Sequence, residues 1–423
     1  MNSPTLCVGA DVHLKEITLR TVDKLTGDEV IAPFNVANNL PGAQSAASRL
    51  AEVATHLGYT HIEIGYEATG MLWIPFHRFL RTCPLLQPFH LQQVCFNPKL
   101  VADFKDALVL RGPKDDNRDA FDVAARVRVG HWPDSYVPDD FWQGVRRLTR
   151  YRFKLSRYRA QEKMRFQAYA FLKCSDWKRL KAFSDVFGAT SAALLTEFTA
   201  AELRQMTHDQ LADLIAHRGH GRFYDPDATA RTVQRALRTS YPIDDLMDEM
   251  VTATLATGWE HIRAINRLMK RLDQHIARYI APVPNPIITV KGLGPVITAG
   301  LLAEIVDISR FPEHKHMAQY FGISWAKRSS GGFVSQNTRM TKVGNPYGRY
   351  YFVIGADKLR QFNLEYKAFY RRKYNEAATH KHKRALVLTA RKLVRLVHAL
   401  LTKNVSYVRP QMPVGLEEDD LLQ

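Results

Sequence analysis

Apolar and polar positions along the first 36 residues predict three strands. Thr5–Asp11 is an apolar run that ends in a charge, Glu16–Val22 alternates apolar and polar residues, and Glu29–Val36 is a third extended stretch. Alternation with a period of two is typical of a half-buried strand, and the turn Lys24–Asp28 separates the second run from the third. The chain therefore begins with three consecutive strands.

Helices and strands then alternate. Asn39–Gly42 opens a helix that runs to about His56, and His61–Tyr66 is a fourth strand that ends at Glu67. The remaining elements are a helix framed by Gly70 and Pro75, a short strand near Leu86–Leu91, and helices after Asn97-Pro98 and after Lys114. The order βββαβαβα predicts an α/β RNase H-like domain, which is a mixed sheet with helices on both faces.

Helices dominate the prediction beyond the Pro- and Asp-rich loop Trp132–Asp140. Phe141–Lys173 is helical and strongly basic, and a long helix spans about residues 245–281. Apolar residues recur along the long helix at spacings of 3, 4, 3, 4 and 3, at Ile262, Ile265, Met269, Leu272, Ile276 and Tyr279. Such a heptad seam packs against another helix, either within the chain or in a dimer coil, and both alternatives stay open.

The loops and changes of pattern along the sequence divide the chain into four predicted parts. They are an α/β domain at residues 1–135, a basic region with long coiled-coil-like helices at 136–286, a mostly helical C-terminal domain at 287–405, and an acidic tail at 406–423. The basic helical region is a candidate for both dimerisation and nucleic-acid binding.

The charge of the chain is distributed unevenly. The net charge is +17, from 59 Lys and Arg against 42 Asp and Glu. Residues 1–130 contain 13 Lys and Arg against 14 Asp and Glu, which leaves 46 against 28 for residues 131–423. An excess of cations confined to the last two-thirds indicates a polyanionic partner, because neutralising phosphates supplies most non-specific affinity for nucleic acid.

The four cysteines and the apolar runs point to a cytoplasmic protein. Cys7, Cys83, Cys95 and Cys174 form neither a C-x-x-C pair nor a zinc pattern, which is typical of thiols in a reducing compartment. No apolar run approaches the roughly 20 residues of a spanning helix, and we expect neither a signal peptide nor a membrane partner.

Carboxylates are the first candidate site. Asp11 and Glu67 close the first and fourth strands, so they can meet at one edge of the sheet. Further carboxylates follow in Lys114–Asp122, where Asp115, Asp116, Asp119 and Asp122 offer several pairs three or four residues apart on a helix. Spacing alone leaves the pair undecided. Oxygen ligands suit Mg²⁺, and two such ions about 4 Å apart can assist an in-line phosphoryl transfer.

The C-terminal half has several features suited to phosphate. Val290–Pro295 resembles the hairpin of helix-hairpin-helix DNA binders, with Lys291, Gly292 and Gly294 near the backbone of the nucleic acid. Ser329 and Ser330 lie between basic residues and a Gly pair, where a serine could attack phosphorus and form a covalent phosphoserine–DNA link. The residues predicted to bind nucleic acid are Lys114, Arg146, Arg147, Arg150, Lys291, Gly292, Gly294, Lys327, Arg328, Arg339, Lys342, Asn345, Arg371, Arg372 and Lys373.

Together these two groups resemble the DEDD transposases of the insertion-sequence one-ten family. The resemblance covers the first 130 residues and about residues 287–360. Its N-terminal nuclease is RuvC-like, its Glu-Ala-Thr-Gly and Asn-Pro elements match Glu67–Gly70 and Asn97-Pro98, and its Lys-Thr-Asp-x-x-Asp-Ala box matches Lys114–Ala120. The resemblance implies that Asp11, Glu67, Asp116 and Asp119 bind the metal, although Asp115 stands where the family usually has Thr.

The resemblance also assigns the C-terminal transposase domain. Its Asp-x-x-x-Phe stretch matches Asp307–Phe311, and its Ser/Thr-Lys-x-Gly-Asn run matches Thr341–Asn345. It implies a nucleophilic serine directly before Gly331, which is Ser330, with Ser329 as the alternative. It further implies a structured non-coding guide RNA, double-stranded target and donor DNA, and a homodimer or tetramer. The expected location is the nucleoid-associated cytoplasm of a bacterium or archaeon.

Three functional hypotheses follow. The first is a recombinase in which Mg²⁺, or Mn²⁺ in its place, assists a serine nucleophile. The second is a metal-only nuclease, such as a Holliday-junction resolvase or a structure-specific endonuclease of RuvC type, in which water attacks. The third is a nucleic-acid-binding scaffold whose carboxylates are structural.

Overall fold

The computed structural model describes most of the chain. The described residues are 3–68, 70–96, 101, 102, 104, 116–130, 132, 136–325, 329, 330, 333, 334 and 340–408, with only the backbone at 116, 117, 329, 330, 333 and 334. The chain forms two compact units, residues 1–138 and 139–423. Along the described ranges, no helix is both long enough and apolar enough to cross a membrane.

The N-terminal unit contains a mixed five-stranded sheet. Its strands are β1 (Thr5–Val12), β2 (Glu16–Asp23), β3 (Phe34–Ala37), β4 (His61–Glu67) and β5 (His90–Phe96). They lie in the order β3-β2-β1-β4-β5. β2 is antiparallel to β1 and β3, whereas β1, β4 and β5 are parallel. This confirms the α/β prediction for the N-terminus.

Helices cover both faces of this sheet. They are α1 (Leu40–His56), α2 (Trp73–Thr82) and α3 (Asp116–Val129). Leu6, Val8 and Ala10 of β1 lie in the core with α1 and α2, whereas Cys7 lies in the opposite core with α3. Because alternate side chains of β1 enter two different cores, the strand is an apolar run.

Two predicted strands have different bounds in the structure. The third begins at Phe34 instead of Glu29, and Glu29 forms only an isolated bridge with Val22. Pro33 precedes it and lacks the N–H that a longer ladder would need. The fifth strand is His90–Phe96 and not Leu86–Leu91, because Pro84–Leu86 forms a 3-10 helix whose Leu86 is buried.

The second unit is mostly helical, as predicted. Its helices are α4 (Asp140–Lys173), α5 (Ala189–Glu197), α6 (Ala200–Gln205), α7 (His208–Gly219), α8 (Pro226–Thr239), α9 (Asp245–Ile280), α10 (Pro295–Ile305), α11 (His314–Tyr320), α12 (Pro346–Phe362), α13 (Leu364–Asn375) and α14 (Lys381–Lys403). Pro286–Thr289 and Ile308–Arg310 form 3-10 helices, and a short hairpin pairs β6 (Ser329–Ser330) with β7 (Phe333–Val334).

The long helices α4 and α9 pack antiparallel. Arg152 near the start of α4 pairs with Asp273 near the end of α9, whereas Lys173 at the end of α4 donates to Thr252 near the start of α9. Most of the predicted seam is buried here, and Leu155 of α4 contacts Ile265 and Met269. The seam is therefore filled by a helix of the same chain, except at Tyr279, which is 48% exposed.

Candidate functional site

Asp11 and Glu67 lie on neighbouring parallel strands at corresponding positions. β1 and β4 pair in register up to Ala10 and Tyr66, and the next residues are Asp11 and Glu67. Ala10 and Tyr66 are buried in the core with α1 and α2. Because successive side chains alternate between faces, Asp11 and Glu67 lie on the face that α3 covers. Both residues are half-buried.

Two glycines allow α3 to lie directly on this face. A Cβ on Gly9 would be 1.9 Å from the carbonyl oxygen of Ala120 and 2.4 Å from the amide nitrogen of Ala124. A Cβ on Gly65 would be 2.4 Å from Cγ2 of Val127. The backbone of α3 therefore contacts β1 at a distance that only glycine permits.

The direction of α3 brings its first turn to the same edge. Arg128, near its end, donates from Nε to the carbonyl oxygen of Lys24 at 3.1 Å, and the Lys24 N–H donates to the carbonyl oxygen of Thr5. The end of α3 thus lies beside the start of β1, so its first turn lies towards Asp11. Asp119, in that first turn, is half-buried.

The structure leaves part of the predicted metal set undescribed. Asp116 begins α3, but its side chain is outside the described residues, as are Lys114, Asp115 and Asn97-Pro98. Among the side chains that are described, no three His, Cys, Asp or Glu residues form a group that could hold a metal ion. Asp122, the other candidate on α3, is described and half-buried. The selection of Asp116 and Asp119 stays a prediction.

His13 is a neighbour of the site that the sequence reasoning missed. Its Nε2 lies 3.1 Å from Oδ2 of Asp11, and the two side chains are 50% and 20% exposed. The sequence signal for His13 is its position two residues after Asp11, because this spacing places both side chains on the same side of an extended chain. A protonated His13 would donate to the carboxylate and orient it, and a neutral ring could accept a proton beside it.

Cys7 lies on the same face but is inert. Its thiol is buried and donates to Oε2 of Glu63 at 3.7 Å, and Glu63 also pairs with Lys24. Burial, together with the negative charge of Glu63, raises the pKa of Cys7 to about 12. The group therefore stays protonated near neutral pH and is a poor nucleophile.

The predicted serines lie on a short hairpin with fixed ends. Ser329 pairs with Val334, and Ser330 pairs with Phe333. Trp325 and Met340 form a bridge, and the Thr341 N–H donates to the carbonyl oxygen of Ser324 at 2.9 Å. The side chains of both serines lie outside the described residues, as do Lys327, Arg328, Gly331 and Arg339. The choice of nucleophile stays a prediction.

A buried polar centre holds the segment that follows the hairpin. Glu304 of α10 is fully buried, and Arg150 donates to its two oxygens at 2.7 and 2.8 Å. Asn345 donates from Nδ2 to Oε2 at 2.7 Å, and Arg146 donates from Nε to the carbonyl oxygen of Ala303 at 2.9 Å. This centre joins α4 and α10 to the N-cap of α12.

The ion pairs at this centre decide the charge of Glu304. Burial alone would raise the pKa of Glu304, but the hydrogen bonds from Arg150 and Asn345 and the positive charges of Arg150 and Arg146 outweigh it and hold the pKa below its ordinary value. Removing the carboxylate would leave two partly buried cations without their partner, which is destabilising. The structure thus gives Arg146, Arg150 and Asn345 a part in the fold, which the sequence reasoning did not foresee.

The other predicted nucleic-acid residues differ in their surroundings. Lys291 and Lys342 are exposed, and Gly292 has a φ of +105° that favours glycine. Gly294 is the N-cap of α10 and follows the 3-10 helix Pro286–Thr289 by a short turn. Several of the remaining cations have partners within the chain: Arg147 donates to Gln143, and both Arg372 and Lys373 lie beside Glu376. Arg371 is half-buried.

Comparisons with known proteins match both halves of the chain. A family model for the DEDD transposases of IS110, described as a transposase, matches residues 8–172. A second model, described as the transposase IS116/IS110/IS902 family, matches residues 285–371. Together the two segments cover more than half of the chain. The first contains all four predicted metal ligands, and the second contains both candidate serines.

A curated protein of an insertion element is also similar to this chain. The insertion element IS110 uncharacterized 43.6 kDa protein of Streptomyces coelicolor is 24% identical over 186 residues. The alignment covers 41% of this chain and 45% of the relative, so the chain spans less than half of the relative's length.

Proposed function

Because the chain belongs to the DEDD transposases of the IS110 family, we propose that it cuts and rejoins DNA strands during transposition. The observation that carries this proposal is the convergence at one sheet edge of Asp11, Glu67 and the first turn of α3. Asp11 and Glu67 end neighbouring strands there, and the helix turn that holds Asp119 is directed towards them, which supports metal-assisted phosphoryl transfer by carboxylates from separate segments of the chain.

In this proposal Asp11, Glu67, Asp116 and Asp119 would together hold divalent cations. Their oxygen atoms suit Mg²⁺, with Mn²⁺ as a substitute. When bound, such ions polarise the scissile phosphate and stabilise the departing oxygen. The chain itself positions the carboxylates through the register of β1 and β4, and His13 orients Asp11.

Ser330, with Ser329 as the alternative, would be the nucleophile. Its hydroxyl oxygen forms a bond to phosphorus while the bond from phosphorus to the departing sugar oxygen breaks, and the hydroxyl proton passes to that departing oxygen directly or through solvent. One DNA end is then held as a phosphoserine ester until the other strand attacks. The backbone pairing of β6 with β7, and the bridge between Trp325 and Met340, support a serine held in a defined position.

The remaining parts of the proposal concern the fold and the partners. Three antiparallel strands followed by two parallel ones, with helices on both faces, support an RNase H-like, RuvC-like domain. The excess of cations in the second unit supports double-stranded target and donor DNA as partners, and it suits a structured guide RNA. The same proposal includes assembly as a homodimer or tetramer. It also includes the division of the chain into four parts.

Covalent capture of DNA tests this proposal against a metal-only nuclease. Ser330→Ala is expected to abolish the protein–DNA adduct that resists denaturation, because no hydroxyl remains to form the ester. The measurement is a denaturing gel of end-labelled junction DNA incubated with the protein and Mg²⁺. Ser329→Ala is the matched variant, and loss in that variant alone would transfer the role to Ser329.

Two results would contradict the serine mechanism. One is an adduct that survives in the double variant Ser329→Ala/Ser330→Ala. The other is strand cleavage in that double variant at the rate of the unaltered protein, which would favour attack by water.

A further inference from the structure

Five cations form an exposed row on the long helix α9. Arg263, Arg267, Lys270, Arg271 and Arg278 are all exposed. Within the described ranges of the chain, none of them has a carboxylate within ion-pair distance. Asp273 is the acidic residue between Arg263 and Arg278. It is paired with Arg152 of α4, so it does not neutralise the positive charge of the row. We call these five residues the α9 basic face.

The α9 basic face lies opposite the buried seam. At about 100° of rotation per residue, the five cations occupy an arc of roughly 100°. The centres of this arc and of the buried seam Ile262, Ile265, Met269 and Ile276 differ by about 160° around the helix axis. The cations therefore point away from α4, and the packing of the helix pair does not account for them.

The row has the length of a short stretch of duplex. Arg263 and Arg278 are 15 residues apart, which corresponds to about 22 Å along a helix that rises about 1.5 Å per residue. A duplex rises about 3.4 Å per base pair along its axis, so a row of this length laid along the axis extends over roughly six base pairs. Flexible cations along such a row can reach several phosphates of one backbone.

We propose that the α9 basic face binds the phosphate backbone of duplex DNA. The proposal rests on the proposed function for the choice of nucleic acid as the polyanion. A second copy of this face is a poor occupant, because two rows of five unpaired cations would repel each other. Arg and Lys on one helix face contact phosphates without reading bases, so the face holds the duplex independently of its sequence.

Binding by a charge-neutralised variant tests this surface. The triple variant Arg267→Gln/Lys270→Gln/Arg271→Gln is expected to bind a labelled 30-base-pair DNA duplex roughly 10²-fold more weakly near 0.1 M salt. The slope of log K against log salt should become shallower by about 2.7, because each lost phosphate contact removes about 0.9. The measurement is fluorescence anisotropy in EDTA, where metal-dependent cleavage cannot occur.

The control removes the same charge from another helix of the same unit. Arg231, Arg235 and Arg238 are exposed cations on α8, and their triple Gln variant is expected to change affinity by less than about threefold. Thermal unfolding of both variants checks that each is folded.

Three outcomes would overturn the proposal. They are unchanged DNA binding by the α9 variant, equal losses in the α8 and α9 variants, and a loss confined to a duplex RNA of the same length. The last outcome would assign the face to RNA. Because the assay needs no metal, a protein inactive in cleavage would still show the effect, so failure of the transposase proposal is distinguishable.

Discussion

Asp11→Asn is expected to reduce metal-dependent strand cleavage by at least about 10³-fold. The change removes a negative charge from the sheet edge where Asp11 and Glu67 lie on neighbouring strands. Transition-state stabilisation by the ions is worth several kcal/mol, and about 4 kcal/mol corresponds to about 10³-fold in rate. Single-turnover cleavage of labelled DNA with Mg²⁺ measures the effect.

The control for Asp11→Asn is an acid outside the site. Asp28 is exposed in the turn after β2, and Asp28→Asn should leave the cleavage rate within about twofold. Duplex binding in EDTA should be the same in both variants. Cleavage by Asp11→Asn at the rate of the unaltered protein would remove this residue from the metal site and support a structural role for it.

Gly9→Ala is expected to impair both folding and cleavage. The new methyl group would lie 1.9 Å from the carbonyl oxygen of Ala120, so α3 must move away from β1. Forced overpacking of this kind costs about 1–3 kcal/mol. Moving α3 also carries Asp119 away from Asp11, so cleavage should fall by more than the loss of folded protein explains. Chemical unfolding measures the loss of stability, and single-turnover cleavage in conditions where the variant stays folded measures the loss of activity.

The matched control for Gly9→Ala is a glycine substitution that we expect to raise the free energy of unfolding. Gly144 lies within α4, and a Cβ there would meet no atom within 4 Å. Gly144→Ala should therefore stabilise the protein by up to about 1 kcal/mol, because alanine favours helix. An unfolding free energy for Gly9→Ala equal to that of the unaltered protein would show that α3 does not rest on Gly9.

The sequence predicts those elements of the N-terminal unit whose bounds are set by residues close together in the chain. Asn39 caps α1 through its side chain, which accepts from the Gly42 N–H at 2.9 Å, as the preference of Asn for this position indicates. The fifth strand was misplaced because Leu85 and Leu86 are apolar, whereas Gln92 and Gln93 within β5 are polar. Gln93 is accommodated by a hydrogen bond from the Tyr66 hydroxyl, a contact that no local pattern reveals.

Long-range pairing explains what the sequence could not predict in the second unit. Arg150 resembles the other cations of α4 in sequence, but its partner Glu304 is 154 residues away. A heptad seam has the same period whether the partner helix belongs to the same chain or to another, so only the structure assigns α4 to α9. The α9 basic face could have been found from cations at spacings of four, three, one and seven opposite that seam.

Iron-mediated cleavage of the protein backbone tests whether Asp11, Glu67 and the first turn of α3 share one metal site. Fe²⁺ in place of Mg²⁺, with ascorbate and peroxide, produces radicals that cut peptide bonds close to the bound ion. A shared metal site predicts cuts near Asp11, near Glu67 and within Asp116–Asp119. Excess Mg²⁺ and Asp11→Asn should each suppress all of these cuts. Cuts at only one of these segments, or elsewhere in the chain, would contradict a shared metal site.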